Sequence, residues 1–210
     1  KTIISDMGSL GKDDQYVKII DFFTLLFEAS QPYKNFDKQI IFRLNGVSQS
    51  HEGISIKEKM IPLVKREPEL IHGIRNIVHN ALKFSKSHVD INLITNSTKI
   101  NLEITDDGKG FPNDITNMIG EPFLKKSNFY SMEVKNRTSE EGMGLGLFIA
   151  NILLEKTNGR LKFSNIKQIE NDGKKRITGA KVEISWERSS IEVLQWDKKA
   201  KMKENPRNVS

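Results

Sequence analysis

The stretch 141–151 (EGMGLGLFIAN) places glycines at three alternate positions directly before an apolar run with helical character. Glycine lets a backbone adopt positive φ values and approach a ligand closely. A helix that begins right after such a loop points unpaired N–H groups and the positive end of its dipole at whatever lies there, which suits a phosphate. An ordinary glycine-rich loop entering a core helix has the same pattern, so this stretch alone leaves both interpretations open.

Apolar periodicity around this loop predicts an α+β protein. Helical spacing predicts helices over 22–33, with Asp21 as the N-cap, over 68–85 and over 144–157. Extended or alternating patterns predict strands over 13–20, 38–44, 88–95, 99–105, 160–166 and 176–186, with a polar turn region at 45–53. The turn residues at 96–98 join two of these strands into an antiparallel hairpin. The expected fold is a two-layer α/β sandwich, in which helices cover one face of a mixed, mainly antiparallel sheet.

The pattern of polarity divides the chain into three parts. Residues 12–188 are expected to form the folded domain, and within them the polar, irregular stretch 111–141 predicts a lid or binding loop. Apolar residues at helical spacing over 1–11 predict the end of an upstream helix or linker. Residues 189–210 are predicted to be a basic tail that ends in a segment of disordered composition.

Composition excludes several classes of site and partner. The formal net charge is +6, but the tail holds most of that excess, so the charge does not indicate a nucleic-acid-binding face in the folded part. The chain contains no cysteine, which excludes disulfides, thiolate metal sites and cysteine nucleophiles within it. Because no run of about 18 apolar residues occurs, the sequence predicts no membrane-spanning helix in this stretch.

The helix predicted over 68–85 carries a polar row, Asn76, Asn80 and Lys83, at spacings i, i+4 and i+7. Residues at these spacings share one helix face. Buried amides and ammonium groups must be hydrogen-bonded, so the row is poorly suited to a core. It is either a solvated helix face or a set of groups for a metal–phosphate assembly, because amide oxygens are hard ligands that suit Mg²⁺.

A second polar pattern, Asp106 followed by Gly108 and Gly110, comes directly after the strand predicted over 99–105. An aspartate there can accept a hydrogen bond from an exocyclic amine at the bottom of a pocket. The two glycines let the backbone turn beneath a flat ring. A hairpin-type turn would use the same residues, so the pattern leaves a base-binding loop and a plain turn equally open.

In their order along the chain, these three patterns resemble the N, G1 and G2 boxes of the ATP-binding catalytic domain of sensor histidine kinases. That domain belongs to the GHKL superfamily, shared with gyrase B, MutL and heat-shock ATPases. A fourth segment, GEPF ending at Phe123, is similar to the F box. Over 5–188 the chain further resembles the RegB/PrrB class of redox-responsive sensor kinases, on segments that include MGSLGKDDQ, EASQP, EPELIHGIRNIVHNALKFS, GMGLGLFIANILLEKTNG and TGAKVEISWER.

The resemblance implies a GHKL-type site for ATP. Asp106 would accept a hydrogen bond from the adenine amino group, with Gly108 and Gly110 shaping the floor beneath the base. Asn80 would coordinate the Mg²⁺ that bridges the phosphates, assisted by Asn76.

Further positions are implied at the phosphate end of the site. Lys83 would contact the phosphates directly, and Phe123 would help to position the lid. The glycine-rich stretch would bring backbone amides to the phosphates at the start of the last helix. Its implied nucleotide-binding residues are Gly142, Gly144, Leu145, Gly146 and Leu147.

The resemblance also implies the reaction, which is transfer of the γ-phosphoryl group of Mg·ATP to a histidine on an upstream dimerisation domain. A response-regulator aspartate would receive it next. GHKL ATPases that hydrolyse ATP carry a general-base glutamate where this chain has Asn76, and a neutral amide cannot take a proton from water near neutral pH. Transfer is therefore favoured over hydrolysis. The implied full-length protein is a membrane-anchored homodimer, and this stretch would be its cytoplasmic domain, with no nucleic-acid partner.

None of the chain's histidines has the sequence context of a phosphoacceptor, which is followed by an acid and usually by Arg/Lys-x-Pro. The four are His51, His72, His79 and His88. The acceptor is therefore expected upstream of this stretch, together with the redox cysteine of the RegB class.

Two other functions stay open from the sequence. A Ser/Thr-directed GHKL kinase of the anti-sigma-factor type needs no acceptor helix, and acid stability of its phosphoprotein would distinguish it. A non-catalytic, nucleotide-responsive module would dock a partner through the lid and the basic tail. Salt-sensitive association of residues 198–207 with lipid or nucleic acid would favour that module.

Overall fold

The computed structural model describes residues 18–49, 61–112, 145–171 and 173–193. The strands are β1 Ile19–Asp21, β2 Gln39–Leu44, β3 Val47–Gln49, β4 Leu63–Lys65, β5 His88–Thr95, β6 Lys99–Asp106, β7 Arg160–Ile169 and β8 Lys175–Glu187. The helices are α1 Phe22–Ser30, α2 Pro68–Phe84, α3 Leu145–Lys156 and α4 Arg188–Ile191, with a 3₁₀ helix at Gln31–Tyr33. None of the helices in these ranges is long and apolar enough to cross a membrane.

Six strands form the main sheet, in the order β3-β2-β5-β6-β8-β7. Within the described ranges, β2 and β5 are its only parallel neighbours, and β5 and β6 form the predicted antiparallel hairpin. Strands β1 and β4 pair with each other in a separate antiparallel ribbon. The predicted fold class, α+β with a mixed and mainly antiparallel sheet, is confirmed.

The hydrophobic core lies between this sheet and the helices that pack on it. Along β5 and β6, buried side chains alternate with half-exposed ones, as a period of two requires. The buried apolar side chains of these two strands are Val89, Ile91, Leu93, Ile100, Leu102 and Ile104. Helix α2 contributes a matching apolar stripe at helical spacing: Leu70, Ile74, Ile77, Val78 and Ala81. The stripe orients α2 on the sheet and leaves the polar row of this helix away from the core.

Local chemistry sets the ends of the helices. Asp21 caps α1 as predicted, and its carboxylate accepts a hydrogen bond from the amide of Thr24 at 2.8 Å. Helix α1 ends at Ser30, earlier than predicted, because Pro32 has no N–H to continue the helical hydrogen bonds. Helix α3 is followed by Asn158, whose φ of 62° turns the chain out of the helix.

The prediction of a turn region over 45–53 is partly wrong. The turn is formed by Asn45 and Gly46, both with positive φ, and Val47–Gln49 then pairs with β2 as β3. Strand β4 was not predicted either, because strands of three residues contain too few positions for a period of two to stand out. Most of the predicted lid, the segment 1–11 and most of the tail lie outside the described residues, so the domain boundaries stay a prediction.

Replacing Thr157 with Val is expected to destabilise the fold by about 1–3 kcal/mol, the usual cost of an unpaired buried donor. The indole of Trp186 is 1% exposed, and its Nε1 donates to the hydroxyl of Thr157 at 3.0 Å. Valine keeps the shape of threonine but removes this acceptor. Urea denaturation measures the effect, with Thr157→Ser as the control that keeps the hydroxyl. Equal unfolding free energies for the two variants would contradict the assigned role of this bond.

Candidate nucleotide-binding site

Asp106 ends β6 and is 8% exposed. Its Oδ1 accepts hydrogen bonds from the amides of Gly108 at 2.8 Å and Ala180 at 3.2 Å. Burial raises the pKa of Asp106, and these two backbone hydrogen bonds oppose that shift. Among the described residues, both of these bonds end on Oδ1.

Two glycines permit the close packing around Asp106. A Cβ added to Gly179 on β8 would collide with the carbonyl oxygen of Asp106, and one added to Gly108 would collide with that of Phe84 at the end of α2. Gly108 was predicted and Gly179 was not. A glycine inside a strand is the available signal for such a contact, since it often marks a close backbone approach.

The loop after β6 is also held by Asn165, a residue that was not predicted from the sequence. Gly110 has a φ of 78°, and the next residue, Phe111, pairs with the side chain of Asn165 on β7. The amide of Phe111 donates to Oδ1 of Asn165 at 2.6 Å, and Nδ2 of Asn165 donates back to the carbonyl of Phe111 at 3.0 Å. This pair holds the loop of Asp106, Gly108 and Gly110 against the neighbouring strands.

Helix α2 supplies the opposite side of the candidate site. Asn76 and Asn80 are half-buried, and Lys83 is exposed. Phe84, the last residue of α2, is 55% exposed. The ammonium of Lys83 lies 5.3 Å from the ring centroid of Phe84. The polar row therefore faces away from the core, as predicted.

The glycine-rich stretch meets α2 at Asn80. Helix α3 begins at Leu145, and a Cβ added to Gly146 would lie 2.7 Å from Nδ2 of Asn80. The absence of a side chain at Gly146 thus brings the first turn of α3 against the predicted metal-binding amide. Leu147 packs against the hydrophobic core. The predicted residues Phe123, Gly142 and Gly144 lie outside the described residues.

The arrangement joins the three sequence patterns through direct contacts. Gly146 meets Asn80, and Gly108 meets the end of the same helix at Phe84. Among the described residues, no group of three or more His, Asp or Glu side chains is arranged to hold a metal ion.

Comparison with known proteins identifies relatives over most of this chain. The family model described as "Histidine kinase-, DNA gyrase B-, and HSP90-like ATPase" matches residues 65–189. Sensor histidine kinase RegB of Cereibacter sphaeroides is 35% identical over 188 residues, which cover 89% of this chain and 39% of that protein. Signal transduction histidine-protein kinase ArlS of Staphylococcus haemolyticus is 24% identical, over 75% of this chain and 33% of that protein. The chain thus spans about two fifths of the length of RegB.

Solved structures share the fold. The mycobacterial sensor histidine kinase MprB superposes with a TM-score of 0.55 at 18% identity, covering 81% of this chain and 96% of that one. The catalytic domain of histidine kinase ThkA gives 0.53 at 16% identity, covering 81% and 95%. Full-length ShkA in complex with AMPPNP gives 0.55 at 16% identity, covering 85% and 32%. At these identities the likeness concerns the fold alone.

Proposed function

This chain belongs to the family of histidine kinase-, DNA gyrase B- and HSP90-like ATPases, and from that we propose that it is the ATP-binding catalytic domain of a two-component sensor histidine kinase. It would transfer the γ-phosphoryl group of Mg·ATP to a histidine on a dimerisation domain, for relay to a response-regulator aspartate. The full-length protein would be a membrane-anchored homodimer. The observation that carries the proposal is the contact of Gly146 with Asn80, which joins the glycine-rich helix start to the amide row.

The adenine end of the proposed site is the loop after β6. Oδ2 of Asp106 would accept a hydrogen bond from the exocyclic amine, since the bonds from Gly108 and Ala180 end on Oδ1. A buried carboxylate that is held rigidly by backbone amides loses little entropy when it binds a base. Gly108 and Gly110 would form the surface beneath the ring.

The phosphate end is the junction of α2 and α3. The start of α3, with Gly146 and the residues Gly142, Gly144, Leu145 and Leu147 around it, would offer backbone N–H groups to the phosphates. Lys83 would add a positive charge. Asn80, assisted by Asn76, would hold Mg²⁺, and a set of amide oxygens fits this hard cation. The bound Mg²⁺ would neutralise charge on the phosphates.

The residue types in α2 favour transfer over hydrolysis. Asn76 lies one turn before Asn80, and its amide cannot act as a general base on water. The contribution of the chain is then to bind the nucleotide, hold it in a fixed orientation and stabilise its charge. His72 and His79 lie exposed on α2, and His88 begins β5. None of these three is followed in the sequence by the acid expected after a phosphoacceptor.

Replacing Asp106 with Asn tests the base-binding role. The amide can keep an acceptor oxygen for Gly108 and Ala180, but it presents an N–H₂ donor where the adenine amine would donate, so one hydrogen bond becomes a repulsive contact. We expect ATP affinity to fall by at least about tenfold, since a lost buried hydrogen bond costs about 1–3 kcal/mol. Guanine has a carbonyl at this position, so GTP affinity should not fall. Calorimetric titration with both nucleotides measures this, and an equal loss for both would refute the role of Asp106.

The acceptor is identified by the chemistry of the phosphoprotein. The chain is mixed with a separate dimerisation fragment that carries a phosphoacceptor histidine and with radiolabelled ATP. We expect acid-labile, base-stable label on the fragment. An acid-stable label would support the Ser/Thr-directed alternative, and the absence of ATP binding would refute the proposed function as a whole.

A further inference from the structure

The carboxylate of Asp107 accepts several hydrogen bonds from the segment that follows α2. It accepts hydrogen bonds from the amide of Lys86 at 2.7 Å, the amide of Ser87 at 3.0 Å and the hydroxyl of Ser87 at 2.5 Å. Partial burial acts to raise the pKa of Asp107, but the bonds from Ser87, Lys86 and His88 outweigh it and hold this pKa well below its usual range. The group is therefore ionised at neutral pH. Asp107 ties the loop after β6 to the end of α2.

Lys38 holds the same helix end from another side. Its ammonium donates to the carbonyl oxygens of Leu82 and Ser85, both at 2.6 Å. The last carbonyls of a helix have no partner within the helix and carry the negative end of its dipole, so an ammonium stabilises them. Two oppositely charged side chains thus fix the C-terminal end of α2, one through its carbonyls and one through the amides that follow.

This helix end joins the two halves of the proposed nucleotide site. Lys83 lies in the last turn of α2, and a Cβ added to Gly108 would collide with the carbonyl oxygen of Phe84. Asp106 directly precedes Asp107. A shift between the end of α2 and the end of β6 would therefore change the separation between phosphate-binding and base-binding groups.

We propose that Asp107 is a positioning residue for the nucleotide, which sets the spacing between the adenine end at Asp106 and the phosphate-binding groups of α2. Lys38 supports this spacing from the other side of the helix end. The inference rests on the proposed function. In this proposal Asp107 acts through Lys86 and Ser87, which donate hydrogen bonds to its carboxylate.

A loss of positioning and a loss of stability can be distinguished because they lower the affinity for different ligands. ATP spans both halves of the site, whereas adenosine and inorganic tripolyphosphate each contact one half. When the two halves lose their relative position, the second contact of a spanning ligand becomes less favourable, and each separate ligand keeps its own contacts. Global destabilisation would weaken the binding of all three ligands alike.

The test compares Asp107→Ala with Glu103→Ala in the same chain. Glu103 lies on β6, the strand that directly precedes Asp107. Its carboxylate accepts a hydrogen bond from the ammonium of Lys181 at 2.7 Å, and its side chain is 25% exposed. The side chain of Asp107 is 23% exposed, so the two carboxylates are matched in exposure. Binding of ATP, adenosine and tripolyphosphate is measured by displacement of a fluorescent ATP analogue, and unfolding is followed in urea.

We expect Asp107→Ala to lower the affinity for ATP by about tenfold, and the affinities for adenosine and tripolyphosphate by less than about threefold each. Glu103→Ala should bind all three ligands about as well as the unchanged chain does. Asp107→Asn keeps an oxygen for the amides of Lys86 and Ser87 and should recover most of the ATP affinity. Equal losses for the three ligands, or equal losses in the two alanine variants, would overturn the proposal. If Asp107→Ala does not fold, the binding of the same three ligands is measured with Lys38→Met, and the same outcomes are expected. An unchanged chain that fails to bind ATP would refute the proposed function instead.

Discussion

Replacing Asn80 with Ala is expected to lower the affinity for Mg·ATP and the rate of phosphoryl transfer by about a hundredfold, within the range for groups that hold a metal or a developing charge. The amide of Asn80 lies at the junction of α2 and α3, where Gly146 makes room for it. Alanine removes the proposed Mg²⁺ ligand and is a better helix former than asparagine, so α2 should persist.

The dependence on Mg²⁺ separates this role from a structural one. Calorimetric titration of ATP is performed with Mg²⁺ and again with a chelator. When the chelator is present, the ATP affinities of Asn80→Ala and the unchanged chain should agree to within about threefold, because neither protein can make the contact with the cation. His79→Ala is the control, since His79 is the exposed neighbour on the same helix. A loss in Asn80→Ala that is the same with and without Mg²⁺ would contradict the metal assignment.

Replacing Gly179 with Ala is expected to destabilise the fold by about 3 kcal/mol, at the upper end of what overpacking costs. The added Cβ would collide with the carbonyl oxygen of Asp106, and backbone atoms cannot move aside as a flexible side chain can. The clash would push β8 away from the end of β6 and disturb the bond between Ala180 and Asp106. We therefore also expect adenine-nucleotide affinity to fall more than tripolyphosphate affinity.

A second glycine provides the control for backbone effects. A Cβ added to Gly46 would meet nothing within 4 Å, although its φ of 83° strains any L-residue. Gly46→Ala should therefore cost about 1 kcal/mol and leave nucleotide binding unchanged. Urea denaturation and nucleotide titration of both variants measure the difference. If Gly179→Ala is as stable as Gly46→Ala and binds ATP normally, the close approach of Gly179 to Asp106 is not needed for stability or for nucleotide binding.

Periodicity along the sequence was enough to predict the long elements and the residues they carry. Asn76, Asn80 and Lys83 share a face because their spacing is local to one helix, and the structure places that face away from the core. The apolar alternation of β5 and β6, together with the turn residues at 96–98 between them, predicted the hairpin for the same reason. The order of the three polar patterns then supported the family, to which the match over 65–189 also assigns the chain.

The partners of these residues could not be read from the sequence. Asp106 takes a hydrogen bond from Ala180, 74 positions later, and Asn165 pairs with Phe111 across 54 positions. Lys38 and Leu82 are 44 positions apart. Nothing in a single sequence specifies which distant backbone atom a polar side chain will meet, because the packing of whole elements determines it.

The order of the predicted helices and strands was enough to predict the fold class. Spacing within single segments was enough to predict the polar row of α2, the aspartate that ends β6 and the glycine-rich stretch at the start of α3. Three features are visible only in the folded chain: Gly146 lies beside Asn80, Gly179 leaves room for the backbone of Asp106, and Asp107 and Lys38 hold the end of α2. These contacts join segments far apart in the chain. They depend on how the helices lie on the sheet, which the buried apolar faces set for the molecule as a whole.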